Sequence, residues 1–243
     1  MKEKITRRSF LKRLGWGSAA VVATSAVVSC GEKTGNRQQD EPPVGKMTYR
    51  TTPTTKDQVS LLGYGMMRLP TVGQGEAEAG KRQKGDEEID QEMVNRLVDY
   101  ALAHGVNYFD TSPVYCQGKS EKATGIALKR HDRRKFFIAT KMSNMHTFSR
   151  EDSIEMFNNS LKELQTDYID YYLLHAIGGQ DDDHDPMELF NARFIDNGIL
   201  DFMLEKKREG KIRNLGFSFH GDQEVFDHAL RMQDEGRLRW DFV

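Results

Sequence analysis

Four short apolar runs in this 243-residue chain each lead into a residue able to do chemistry, and they recur at near-regular intervals. Residues 106–109 lead to Asp110, 136–140 to Lys141, 171–174 to His175, and the run around Phe217 to His220. The steps between those strand ends are 31, 34 and 45 residues. A βαβ repeat needs ~30 residues, so the spacing is that of strands running the same way, each returned by a helix. The connecting segments agree. Ile89, Met93, Val94, Leu97, Val98, Ala101 and Leu102 recur at helical period and stop at Gly105. Ser120 opens a helix to about His131, and Ser149 caps a third whose Ile154, Phe157, Leu161 and Leu164 share a face. Parallel strands buried on both faces read as unbroken apolar runs, and in an α/β barrel the C-terminal strand ends and the loops after them face one mouth. Asp110, and Tyr115 in the loop behind it, are therefore expected at that mouth together.

Residues 106–121 read VNYFDTSPVYCQGKSE, and the pattern F-D-T-S-x-x-Y-x-x-G-x-S-E within them resembles the signature of the aldo-keto reductases. FFIATK at 136–141, YYLLH at 171–175 and EGKIRNLGFSFH at 209–220 agree, so the resemblance covers about residues 47–243. GMMRLP at 65–70 and GFSFH at 216–220 look like the subgroup that often carries a ferredoxin-like 4Fe-4S module after the barrel. The resemblance implies a (β/α)8 TIM-type barrel that reduces an aldehyde or ketone with NADP or NAD as cofactor. Reduction needs a hydride on carbon and a proton on oxygen, and no side chain supplies a hydride, so the nicotinamide is what the resemblance brings. The protein brings the proton. A phenol, with a pKa of ~10, is a weak donor at neutral pH, and a neighbouring ammonium stabilises its anion. The resemblance thus gives Tyr115 the proton, Lys141 the ammonium, Asp110 the task of holding Lys141, and His175 a hydrogen bond to the substrate oxygen or a proton relay. Ser218 and His220 stand where the family binds the nicotinamide amide, and Phe219 replaces its usual asparagine. Singly, each residue has an ordinary reading as a solvated lysine, a packed tyrosine or a hydrogen-bonded histidine; their order and context separate them from it.

With 35 basic and 37 acidic side chains, the charge balance offers no electrostatic case for a nucleic-acid partner. Residues 1–29 are a different kind of segment. Arg7 and Arg8, followed by Ser9, Phe10, Leu11 and Lys12, form a twin-arginine pattern, and an apolar small-residue stretch runs over 15–28. The ending V-V-S-C resembles a lipoprotein box, with Cys30 as the lipidated first residue of an exported, membrane-anchored chain. The alternative, an uncleaved anchor helix, falls short of the ~20 apolar residues needed to span a bilayer. Residues 30–46 are polar and read as a tether to the barrel at 47–243. With Cys30 acylated, Cys116 is left without a disulfide partner; it is either a redox-sensitive thiol beside Tyr115 or a packing residue, and nothing marks it as reactive. The glycine-rich stretch 73–86 reads as a loop over the mouth, 51–57 as a hairpin closing the bottom, and 61–66 as the first strand or its approach. The acidic run 178–185, GGQDDDHD, reads as solvated, and no metal is assigned.

Two rival functions use the same residues. One is a non-catalytic cofactor-sensing or electron-transfer subunit on the same barrel; the other is a metal-dependent hydrolase with ligands Asp110, His146, His175 and His220. Strands near Leu61, Phe109, Ile138, Leu173 and Phe217, with WDFV at 240–243 beginning a sixth, make about five and a half βα units. The expectation is a barrel incomplete at its C-terminus, with weak dinucleotide binding and any iron–sulfur module beyond residue 243.

Overall fold

The computed structural model describes residues 42–73 and 87–243. The signal segment with Arg7 and Arg8, the lipidation site Cys30, most of the tether and nearly all of the glycine-rich loop lie outside the described residues. A parallel sheet organises the rest. Its strands are β3 (Tyr64–Gly65), β4 (Tyr108–Asp110), β5 (Phe137–Met142), β6 (Ile169–Ile177) and β7 (Ile212–Phe219), hydrogen-bonded in sequence order. Ahead of them β1 (Tyr49–Thr51) and β2 (Gln58–Ser60) pair antiparallel as the expected hairpin. At the other edge Phe242 makes a parallel bridge to Gly216, so WDFV takes the position beside β7 expected of a sixth strand. The first strand lies within the stretch 61–66, whose start is its approach. Leu61 and Leu62 are 65% and 62% exposed, and pairing begins only at Tyr64, where β4 first offers partners.

The helices are α1 (Gln91–Ala103), α2 (Ser120–Leu128), α3 (Arg150–Glu163), α4 (Pro186–Phe190), α5 (Ile199–Arg208) and α6 (Gln223–Asp234). Their starts follow from capping: Asp90 accepts from Met93 N–H and Ser149 from Asp152 N–H, each satisfying a donor that the first turn leaves orphaned. Asp185 and Glu188 form a capping box around Pro186. That helix does not run on as one piece: residues Asn191–Ile195 widen into a π-helical turn before α5. Among the described residues no helix is long and apolar enough to cross a membrane.

Strand alternation sorts the side chains into two layers. Phe109, Ile138, Tyr172 and Phe217 are buried against the helices, while Tyr108, Phe137, Ala139, Tyr171 and Leu173 point into the barrel and pack with Val59 of the hairpin and with Phe242. Below them, Asp170 accepts from Arg133 at 2.5 Å, Arg213 at 2.7 Å and the Ile138 N–H at 2.9 Å. Arg213 also donates to Asp57 at 2.8 Å, and Tyr171 Oη to Asp57 at 3.0 Å, locking the hairpin to β6 and β7. A cavity of about 740 Å³ lies at this same end, lined by Pro42, Leu62, Leu97, Tyr100 and Val106 among others, so it is remote from the C-terminal strand ends.

Candidate active site

The inward set of the alternation continues one step further up each strand: Tyr108 to Asp110, Ala139 to Lys141, Leu173 to His175. Register staggers them by two residues from strand to strand, with Asp110 beside Ala139 and Lys141 beside Leu173. The three strand-end residues therefore form the top inward layer of the barrel. Lys141 is 4% exposed, and its Nζ donates to Asp110 Oδ1 and to the Thr111 carbonyl, both at 2.7 Å. A buried ammonium is costly unless paired and hydrogen-bonded, and here both conditions are met. The same Nζ stands 4.6 Å from the centre of the Tyr115 ring, which in turn meets the His175 imidazole edge-on at 5.9 Å and 79°. The four residues expected from sequence are thus brought together.

Tyr115 is presented by an unusual turn. Cys116 and Gln117 have φ of 50° and 52° and Gly118 follows at 85°, three consecutive left-handed residues. For non-glycine residues this conformation costs of order 1–3 kcal/mol each, and such strain is found concentrated at functional sites. The Cys116 thiol is buried, aimed at the Met67 carbonyl at 3.3 Å, so this cysteine packs the turn against the loop after β3. Ser120 Oγ–H donates to the Met66 carbonyl at 2.7 Å and closes the other side of the loop.

His175 is buried, and burial first, then the electrostatic influence of Lys141, Arg193 and His220, pushes its pKa down to about 3. Its imidazole is therefore neutral across the physiological range. Nδ1 lies 2.6 Å from Ser143 Oγ, and its backbone carbonyl accepts from Arg193 Nη2 at 2.8 Å. Arg193 comes from the π-helical turn and is itself buried, which lowers its pKa to about 10. Asn144 donates to the Arg193 carbonyl at 2.8 Å and to Ser153 Oγ at 3.1 Å, tying that turn to the loop after β5. Ser112, Ser143, Asn144 and Arg193 were not singled out from sequence. Ser112 sits inside the recognised motif and Ser143 two residues past Lys141, but a serine carries no periodic signature.

Ser218 and His220 lie at the end of β7. Ser218 Oγ accepts from Ala176 N–H at 2.9 Å, which leaves its own O–H without a partner among the described residues; His220 is exposed, with Nδ1 2.7 Å from its neighbour's carbonyl. An inward-facing hydroxyl with a donor to spare suits a carboxamide such as that of nicotinamide. The hydrolase ligand set does not converge: Asp110 is held by Lys141, His146 is exposed, and among the described residues no three His, Cys, Asp or Glu side chains are placed to hold a metal.

A sequence profile described as the aldo/keto reductase family matches residues 62–243, three-quarters of the chain. The chain belongs to the aldo/keto reductase family. Its fold is accordingly that family's (β/α)8 barrel, with β3 to β7 as consecutive units of it. Protein tas of Escherichia coli is 30% identical over 201 residues, covering 71% of this chain and 52% of that protein. Methylglyoxal reductase DkgA of Escherichia coli O157:H7 is 33% identical, covering 57% and 46%. Among solved structures, the holo form of an aldo-keto reductase from Bacillus halodurans is 32% identical with a TM-score of 0.53, covering 76% of this chain and 54% of that one. An aldo-keto reductase from Klebsiella pneumoniae in complex with NADPH is 26% identical with a TM-score of 0.52. The chain spans about half the length of these aldo/keto reductase relatives.

Proposed function

We propose that this protein reduces an aldehyde or ketone with NADPH or NADH as the hydride source. The observation that carries the proposal is the buried Lys141 ammonium, held by Asp110 and the Thr111 carbonyl directly against the face of Tyr115. A reduced nicotinamide, when bound, supplies hydride to the carbonyl carbon, and the spare hydroxyl proton of Ser218, with His220 beside it, would hold its carboxamide. The relative solved with NADPH supports that choice of cofactor. Tyr115 Oη–H gives its proton to the carbonyl oxygen as negative charge develops there. Lys141 stabilises the phenolate left behind, and Asp110 keeps the ammonium charged and aimed. His175, neutral at pH 7, contributes a hydrogen bond to the same oxygen and carries no proton charge of its own.

Tyr115→Phe removes the proton and leaves the ring, so carbonyl reduction should fall ~10²-fold or more, the usual contribution of general acid catalysis. Fluorescence titration with NADPH should remain near the parent value. Full turnover by the Phe variant would place the proton donor elsewhere and overturn the assignment.

We further propose that the protein leaves the cytoplasm by the twin-arginine route and is held at a membrane through Cys30. The support is the pattern at Arg7 and Arg8 with the V-V-S-C ending. A single acyl chain gives only marginal, reversible binding, so more than one chain, or a chain plus a second contact, is required. Cys30→Ala should move the protein from the membrane to the soluble fraction; unchanged fractionation would sink the lipoprotein reading.

A further inference from the structure

Two serines behind the catalytic layer have no part in the chemistry above, yet both are buried, Ser112 at 0% and Ser143 at 2% exposure. Their hydroxyl oxygens are 2.8 Å apart, and Ser143 Oγ is 2.6 Å from His175 Nδ1. The direction of these hydrogen bonds follows from where each proton can go. Val114 N–H, which can only donate, points at Ser112 Oγ at 3.4 Å. The Ser112 proton has two acceptors among the described residues, Ser143 Oγ at 2.8 Å and His175 Nδ1 at 3.5 Å, and O–H donors prefer ~2.7–2.8 Å. It goes to Ser143. The Ser143 proton then chooses between His175 Nδ1 at 2.6 Å and the Lys141 carbonyl at 3.4 Å, and the same preference sends it to the imidazole. A neutral imidazole that accepts at one nitrogen carries its proton on the other.

We propose that Ser112 and Ser143 are positioning residues, a two-hydroxyl relay that holds His175 as its Nε2–H tautomer and so presents a hydrogen-bond donor at the mouth. That this donor meets a carbonyl oxygen rests on the reductase proposal; the tautomer assignment does not. Arg193 fixes the backbone of His175 through its carbonyl, so the ring's proton placement is left to the serines. Removing the Ser143 hydroxyl takes away the close donor and leaves Nδ1 facing Ser112 at 3.5 Å, where the preference between tautomers is largely lost.

The test is long-range 1H–15N correlation NMR on this chain with 15N-labelled histidine, the His175 signals being identified by their loss in His175→Gln. At pH 7 the parent should show His175 with protonated Nε2 and unprotonated Nδ1. Ser143→Ala should draw the two 15N shifts together as the tautomers mix, and Ser143→Thr, which restores a hydroxyl, should bring back the parent pattern. Should the alanine variant fail to fold, Ser112→Ala reads the same signal one hydroxyl further back and should show a smaller drift in the same direction. A parent spectrum with Nδ1 protonated, or a parent-like pattern in both alanine variants, would overturn the relay. The measurement needs no turnover, so a failure here is separable from a failure of the Tyr115→Phe test.

Discussion

Glu121 opens α2 within the family motif, yet it is 3% exposed, wedged between β5 and α3 where the Thr140 and Ser160 hydroxyls donate to its two oxygens at 2.5 and 3.1 Å. Burial raises its pKa to about 7, and the phenol of Tyr172, buried in the same layer without a hydrogen-bond partner among the described residues, is held well above its ordinary value by burial and by this carboxyl. The linkage follows from the sign. An acid whose folded pKa is raised gives stability that is present below its ordinary 4.5 and lost as pH rises through about 7. His175 acts in the opposite sense: its lowered folded pKa means that stability is lost as pH falls from 6.5 towards about 3. Between pH 4.5 and 6.5 the two slopes oppose each other. Glu121→Gln keeps the shape and removes one slope, so urea midpoints of the variant relative to the parent should rise steadily from pH 4.5 to 7. A difference that does not change with pH would show that Glu121 titrates alike in the folded and unfolded chains, and that burial does not raise its pKa.

Helix α2 owes its place to a glycine rather than to an amphipathic stripe. A Cβ built at Gly125 would lie 2.2 Å from the Glu163 carbonyl oxygen and 2.8 Å from Leu164, both backbone atoms at the end of α3. In an exposed helix interior, Gly→Ala stabilises by roughly 1 kcal/mol. Here the two helix backbones are in contact, so Gly125→Ala should instead destabilise by about 1–3 kcal/mol as overpacking pushes α2 from α3. Thermal unfolding of the two proteins reads the sign directly. The strands were legible because burial on both faces leaves unbroken apolar runs, and the helices because their buried stripe and caps recur. Within 61–66, Leu61 and Leu62 form the approach and not the strand, because an apolar pair says nothing of whether a partner strand lies alongside. The π-helical turn at Asn191–Ile195 has no mark in the sequence, being set by the contacts of Arg193 and Asn144 once the chain has folded. At the site, the four residues of the motif were legible and their supports were not, since a hydroxyl two residues past a lysine becomes meaningful only when a histidine 32 residues away folds onto it.

The end of the barrel opposite the chemistry is held by charge. Asp170, 1% exposed, takes two guanidiniums and a backbone N–H, and through Arg213 it joins Asp57 of the hairpin. Removing one partner of a buried ion pair costs ~3–5 kcal/mol, and because Arg133 and Arg213 are partly solvated, Asp170→Asn should fall towards the lower end of that range. The lysine–aspartate pair at the mouth is untouched by this change, so NADPH-linked turnover at a temperature where the variant is folded should stay near the parent value; a loss of turnover without a loss of stability would contradict this division of labour. The Asp57–Arg213 pair also spans 156 residues of chain. Translation proceeds at ~5–20 residues per second, so the carboxylate waits roughly 8–30 s on the ribosome before its guanidinium is made. Until then the bottom hairpin is held by its own turn, by hydrogen bonds to Gly105 and Asn107 and by Tyr171, without the guanidinium that ties Asp57 to β7. Under the export proposed above, the last tie of this end of the barrel would close only once Arg213 has emerged, long after the arginines that would address the chain.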